Sequence, residues 1–434
     1  SARGGARGGL SSPGGSTEAP SSTRRGRLRF ALASSVADQG LASAIGLALT
    51  VATGRRLGAA GLGSVALALA VYLVVLGFQR ALVLDPLAVQ NDPGGERPAL
   101  LASCAAGVAG TGAMYVLALP LGNDAAAALT AFAPWVAPAL LVDAVRVAGF
   151  SSGRPTAGVT AGAVWLAVML GALVVTGRGF GVADAALSWG AGAVAGAVAG
   201  GMRLRYVPSS PRAAWTWWRS TWPLGRWLAL QTAAHTTGMQ GAQFALGILA
   251  GPAALGTLKA VQTVFAPLTL LLPAVNTPAL PVVARTLRAS PDAARSLAGR
   301  LTLALTGACG AYLAVALVAR EPLAALAFGP SFEVPIAVML PVGLGQLVIA
   351  AALGTFLLLR AAGDGRAVFV ATAVSAGTAL FSVLVFGDAF GATAAAWGIA
   401  VGAIAATAAA RAYVASAVKD AGTPPVRVRM APTR

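Results

Sequence analysis

Two opposite charges and a helix breaker stand inside one apolar run: GFQRALVLDPLAV, Gly77 to Val89, carries Arg80, Asp85 and Pro86. An arginine suits an anion, because its planar guanidinium offers a rigid fork of donors to phosphate or carboxylate oxygens. Three carboxylates in apolar runs, Asp38, Asp85 and Asp143, and a second arginine, Arg146, are its available partners. At 1.5 Å per residue, Arg80 lies roughly 14 Å, and Asp38 and Asp143 roughly 12 Å, from the same end of their helices. That is near the middle of a hydrocarbon layer about 30 Å thick. An ion at such depth is costly unless it is paired or faces water, so these residues point to function by default. Two readings stay open. One is a purely structural ion-pair network; in the other the three aspartates titrate or pair with Arg80, and Arg80 meets an anionic headgroup. Pro86 frees a backbone carbonyl beside the cluster, which suits a bend in a cavity wall.

The elements that hold these groups follow from composition. Of 434 residues 57% are hydrophobic and only 10% charged, and the mean hydropathy is +0.76. That balance excludes an ordinary soluble domain and points to an all-α, polytopic membrane protein. Apolar runs of about 20 residues place spans near 30–53, 65–89, 99–121, 125–148, 156–176 and 185–202. A second set falls near 227–250, 256–283, 299–319, 335–360, 367–387 and 392–415. The reading is twelve helices in two six-helix lobes, 30–202 and 227–415, around a central cavity. A disordered basic tail over 1–29, a Trp/Arg-rich interfacial linker over 203–226 and a basic tail over 416–434 complete it. The first span follows a cluster of arginines as a signal peptide would, but its length and the spans after it predict that it is retained.

The net charge of +17 is spread through short connectors rather than gathered on a nucleic-acid-binding module, so no nucleic acid partner is expected. With the N-terminus inside, only Arg55, Arg56, Arg178 and Arg320 fall in outer connectors, and the positive-inside rule then puts both termini in the cytoplasm. The two cysteines, Cys104 and Cys309, lie in apolar segments and read as packing residues. No metal-ligand cluster, phosphate-binding loop or nucleophile–base pair is legible, so no cofactor, metal or catalytic residue is expected.

The halves echo one another. GAAGLGS, Gly58 to Ser64, matches GPAALGT, Gly251 to Thr257, and each joins the first and second helix of its group; Gly153-Arg154 and Gly365-Arg366 both join the fourth and fifth. Six spans per half give a parallel repeat, with its axis along the membrane normal. In the second half QTAAHTTGMQGAQ places Gln231, His235 and Gln243 at i, i+4 and i+12 in one span, polarity that a wet cavity tolerates and lipid does not. His235 reads either as a satisfied polar residue in helix packing or as a proton-sensitive or pyrophosphate-binding group. Helix eight, FAPLTLLLPAVNTPALPVVA, is broken by prolines and stands opposite helix two in the repeat.

GRRLGAAGLGSVALALAV and EPLAALAFGPSFEVPIAVMLPVGLGQLVIAAALGTFLLLRAAGDGR resemble the polysaccharide and lipid-linked oligosaccharide flippases of the multidrug/oligosaccharidyl-lipid/polysaccharide exporter superfamily. In that family an Arg-Leu-Gly turn joins helices one and two, and a Phe-Gly-x-x-Phe element precedes helix ten. Here these are Arg56-Leu57-Gly58 and Phe328-Gly329-Pro330-Ser331-Phe332. The resemblance implies a non-enzymatic exporter of a lipid-linked glycan in the bacterial cytoplasmic membrane, working by alternating access. Its partners would be membrane lipids and the glycosyltransferases or polymerase of the same pathway. The charged motifs of the lipid II flippase branch are not visible, which makes a peptidoglycan precursor the less favoured substrate. A cation-coupled multidrug exporter of the same superfamily is the alternative, ahead of a membrane-embedded glycan polymerase or ligase, for which the outer connectors are too short.

This topology predicts that a reporter fused after Arg434 is cytoplasmic and one inserted near Asp124 is external. Protease accessibility in intact cells checks it, and both reporters on one side would overturn the count.

Overall fold

The computed structural model describes residues 22–90, 94–177, 179–205, 209–330, 332–362 and 364–420. Most of the expected tails therefore lies outside the described residues, though helix already begins at Ser22. Among the described residues nine helices are long and apolar enough to cross a membrane, one of them the 57-residue Ala33–Val89. At 1.5 Å per residue that helix would be roughly 85 Å long, far beyond one bilayer core. Gly58 breaks it, with φ 67° and ψ −163°. The reversal there is demonstrated by Asp38 and Arg80, which belong to one ion-pair chain although they stand 42 residues apart in sequence.

The helices are therefore α1 (22–57), α2 (59–90), α3 (Glu96–Ala118), α4 (123–151), α5 (Thr156–Val175) and α6 (Val182–Leu204), followed by α7 (211–249), α8 (251–289), α9 (Pro291–Val318), α10 (Ile336–Ala361), α11 (Gly365–Phe390) and α12 (Ala392–Asp420). A short helix, Arg320–Phe328, precedes α10. Helices α7 and α8 are spans whose polar, basic or proline content keeps them out of the apolar nine. Residues 211–226, expected as a separate interfacial linker, instead continue into α7 as one helix, capped at its start by the Ser210 hydroxyl accepting from Ala213 N–H. The segment's turns are covered on one side, since Ala214, Trp217, Thr221 and Gly225 are buried, and this lets the helix run unbroken from the interface into the bundle.

Small residues let the helices approach, as lipid exerts no hydrophobic push between them. A Cβ at Gly196 would lie 2.6 Å from the Ala161 carbonyl oxygen, and Gly192 and Gly200 face α5 in the same way. Between the halves, a Cβ on Gly63 would overlap the Pro252 carbonyl and one on Gly256 would overlap the Ala59 carbonyl. The two contacts are reciprocal: the same Cβ atoms would stand 2.9 Å from Gly256 N and 2.9 Å from Gly63 N. Each residue meets the counterpart of the other's partner, the signature of a two-fold relation, and the axis passes between the two GxxxLG-type turns. Gly58 and Gly251 turn the chain with φ 67° and 85°, a region open to glycine at little cost. The Gly153 and Gly365 pair is less alike, because Gly153 turns the chain with φ 69° whereas Gly365 opens a helix.

The end of the bundle that carries Gly58 is closed. Phe328 is buried against Leu62 and Ala260, stacks on Phe332 at 4.8 Å between centroids and fills the space beside Gly54. Arg55 donates through Nε to the Ala327 carbonyl at 2.7 Å and through Nη2 to the Leu326 carbonyl, satisfying the last carbonyls of the short helix. Arg56 does the same for α5, donating to the Thr176 carbonyl at 2.8 Å with its guanidinium 4.8 Å above the Phe180 ring. These partners account for two arginines that stand against the charge rule. At the opposite end the second half of α8, Ala266–Ala289, packs on α9 and α10 of its own half.

Gly63→Ala and Gly256→Ala are each expected to destabilise the protein by about 1–3 kcal/mol through overpacking against backbone. Gly40→Ala, where a Cβ meets nothing within 4 Å, is expected to stay within ~0.5 kcal/mol. Thermal unfolding of the purified variants in detergent measures the difference.

Candidate functional site

The cluster forms where α2 leaves regular helix. Pro86 lacks an N–H and its ring crowds the carbonyl one turn back; the helix widens over Arg80–Leu84 into a π turn, closed by Asp85 N–H donating to the Arg80 carbonyl. Such one-residue expansions favour functional positions. Arg80 is thereby set at the wall of a cavity of about 370 Å³ lined by Asp38, Tyr72, Arg80, Asp143, Arg146 and Trp165 among others. The cavity lies within the first lobe, among α1, α2, α4, α5 and α6.

Four of the expected residues join in one chain of ion pairs. Arg80 binds Asp143 through both arms of its fork, Nε to Oδ2 at 2.7 Å and Nη2 to Oδ1 at 2.6 Å. Asp143 also accepts from Arg146 Nη1 at 3.4 Å. Arg146 in turn grips Asp38, with Nε 2.8 and 2.9 Å from its two oxygens and Nη2 2.6 Å from Oδ2. Two cations and two anions balance. Asp38 and Asp143 are buried and the Arg146 side chain is 16% exposed, but that of Arg80 is 47% exposed. Arg80 thus keeps Nη1 free of protein partners among the described residues, on a fork already oriented by Asp143. The arrangement can present a fixed cation to an anion without an unpaired ion being created.

The other expected residues do not join it. Asp85 is exposed and makes no ion pair among the described residues; five residues along a helix is a rotation of about 140° from Arg80, away from its face. In α7 a second π turn, Ala233–Thr237, inserts an extra residue and so rotates Gln243 away from Gln231. Gln231 is exposed, whereas Gln243 is buried inside the second lobe with its Oε1 unpartnered, near Leu258, Ala379 and Ile399. The backbone of His235 lies in that π turn, and its side chain lies outside the described residues. The side chains of Pro273, Pro278 and Pro281 in α8 lie outside them as well.

Sequence reasoning missed several neighbours. Gln39 accepts from Arg146 Nη2 at 3.4 Å, and Gln79 is buried, donating through Nε2 to the Leu140 carbonyl at 2.9 Å. Both are polar residues beside charges already singled out, and that adjacency within an apolar run was the available signal. The aromatic floor was not legible: Trp189 packs against Tyr72, Phe132 and Trp165 at centroid distances of 5.1, 5.6 and 5.4 Å.

No family model matches the chain, and no characterised protein matches it by sequence. Solved structures do match by fold. A lipid II flippase MurJ in an inward closed conformation aligns with a TM-score of 0.71 at 11% identity, over 88% of this chain and 87% of that one. An inward-facing multidrug resistance MATE family transporter of the MOP superfamily aligns at 0.68 and 15% identity, over 88% and 96%. An outward-facing structure described in the same words aligns at 0.55 and 14%, over 92% and 96%. The chain has the fold of that superfamily of transporters, as a multi-pass membrane protein.

Asp143→Asn leaves two guanidiniums without their shared counter-ion and is expected to cost about 3 kcal/mol, the low end for a buried pair because Arg80 is half exposed. Asp85→Asn is expected to fall within ~0.5 kcal/mol of the parent chain. Unfolding curves on both variants check the ranking, and equal losses would place Asp85 in the network.

Proposed function

We propose that a chain with this transporter fold carries a lipid-linked oligosaccharide or polysaccharide precursor across the bacterial cytoplasmic membrane by alternating access. It has no enzymatic step of its own, and both termini are cytoplasmic. The observation that carries the reading is Arg80, a half-exposed guanidinium held in place by Asp143 at the wall of an intramembrane cavity. Lipid-linked glycans present phosphate oxygens, and a planar fork at that depth matches them. Lobes of 30–202 and 227–415 would rock about the α2–α8 contact. Opening the far side would require Arg55 to release the Leu326 and Ala327 carbonyls and Phe328 to leave its seat. Closure at the Gly58 end, and better alignment with an inward-facing than an outward-facing relative, both support an inward-open state. Glycosyltransferases or a polymerase would supply or consume the substrate.

One observation favours the second reading, a cation-coupled multidrug exporter: Asp85 is an exposed carboxylate with no ion-pair partner among the described residues. Against it, the two buried carboxylates are both engaged by arginines, so neither is free to take up a cation.

Arg80→Ala is expected to abolish glycan export at matched membrane abundance, and Arg80→Lys to retain a fraction, because lysine keeps charge but loses the fork. Asp85→Asn should leave export intact. If Arg80→Ala combined with Asp143→Asn exports normally, Arg80 is only a structural partner. If Asp85→Asn alone stops transport, the cation-coupled reading takes precedence. Surface glycan quantified in each variant reads the result.

A further inference from the structure

The base of α7 carries a pattern that the proposed transport path does not use. Arg212, Trp215, Arg219, Trp222 and Arg226 recur at spacings of three and four residues and are all exposed, so they form one stripe along a single helix face. Trp218 stacks between Trp215 and Trp222, at centroid distances of 5.1 and 5.0 Å. None of the three arginines makes an ion pair among the described residues. Beside the stripe lies a groove of about 780 Å³, walled by Val75 and Leu82 of α2, Ala105 and Val108 of α3, and Trp215 and Trp218 of α7. Its lining is aliphatic and aromatic, and its α2 and α3 walls belong to membrane-spanning helices. Two walls come from the first lobe and one from the helix that leads into the second.

We propose that this groove is a binding site for one anionic phospholipid of the bilayer, which bridges the two lobes. At the depth of α2 and α3 the surroundings are hydrocarbon, so an acyl chain is the occupant the walls can accept. Arg212 and Arg219 lie one turn either side of Trp215, where the groove meets the stripe, and supply cations for the phosphate. Tryptophan rings at that level seat at the headgroup boundary. A zwitterionic lipid would fill the same apolar space but would gain little from three guanidiniums. An anionic one gains about fivefold in occupancy for each arginine its headgroup meets. Because the site spans α2, α3 and α7, an occupied groove favours the lobe arrangement that forms it.

The test is quenching of tryptophan fluorescence in the full-length protein reconstituted into vesicles of brominated phosphatidylglycerol or brominated phosphatidylcholine, diluted to equal mole fractions in unlabelled phosphatidylcholine. The anionic lipid is expected to reach half-maximal quenching at a mole fraction at least fivefold lower. R212Q/R219Q/R226Q should bring the two lipids together, and Ala109→Phe, at an exposed groove position, should weaken quenching by both. Equal quenching by the two lipids in the parent chain overturns the proposal, as does a preference that survives the triple substitution. If a polyprenyl phosphate displaces the brominated lipid at a far lower mole fraction than phosphatidylglycerol does, the groove belongs to a prenyl carrier and the phospholipid assignment fails. Should the triple variant not reach the membrane, R219Q alone carries the comparison, with a loss of about fivefold in preference expected and no change overturning the assignment.

Discussion

A carboxylate shared by two arginines organises the first lobe. Asp143 on α4 accepts from Arg80 of α2 and Arg146 of α4, and Arg146 passes the link to Asp38 of α1. The constraint behind it is the cost of an uncompensated ion in hydrocarbon, which makes each member depend on the next. Three helices are tied in a fixed order, and the cavity they enclose is left with one cation that still has donors to offer. A neutral network is a demanding way to build a binding site, since desolvation opposes every charge in it. Its benefit here is orientation, because Arg80 is held before any ligand arrives.

A second organising contact lies between the halves. The reciprocal approach of Gly63 and Gly256 brings α2 and α8 closer than any residue with a side chain would permit. Together with Phe328 and the Arg55 hydrogen bonds it closes one end. The π turns stand near a second meeting of the lobes, where Gly77 faces Thr232 and Thr236 and Gly225 faces the Ala81 and Leu82 carbonyls. Widened turns and glycines therefore coincide where α2 meets α7. The same α2 segment presents Arg80 to the inner cavity on one side and Leu82 to the apolar groove on the other. A shift in how α2 packs on α7 acts on both at once.

Much of this was legible in the chain alone. Hydropathy over windows of about 20 residues located all twelve spans, because the bilayer imposes one length on each. The matched GAAGLGS and GPAALGT turns marked the repeat, since a chain reversal beside close helix packing admits few residue types. The depth of Asp38, Arg80 and Asp143 followed from residue counting along helices of known rise. Their rarity in apolar runs was enough to select them as candidates for a site.

What the sequence could not decide is which charge pairs with which. Asp85, nearest to Arg80 in the chain, points elsewhere, while Asp143, 63 residues away, is its partner. Pairing depends on the rotation of each helix about its own axis, and that is set by packing against neighbours distant in sequence. Two π turns add to this by shifting the register of everything that follows them, which separated Gln243 from Gln231 and carried Asp85 away. The Trp/Arg segment had the composition of an interfacial linker, but burial of Ala214, Trp217, Thr221 and Gly225 made it the base of α7. Span positions, the repeat and the identities of the buried charges were determined by the sequence, because each obeys a local rule of length, conformation or solvation. The ion-pair connectivity, the exposure of Arg80 and the closed end were decided only by the tertiary structure, because each depends on the relative rotation of helices that the chain brings together from far apart.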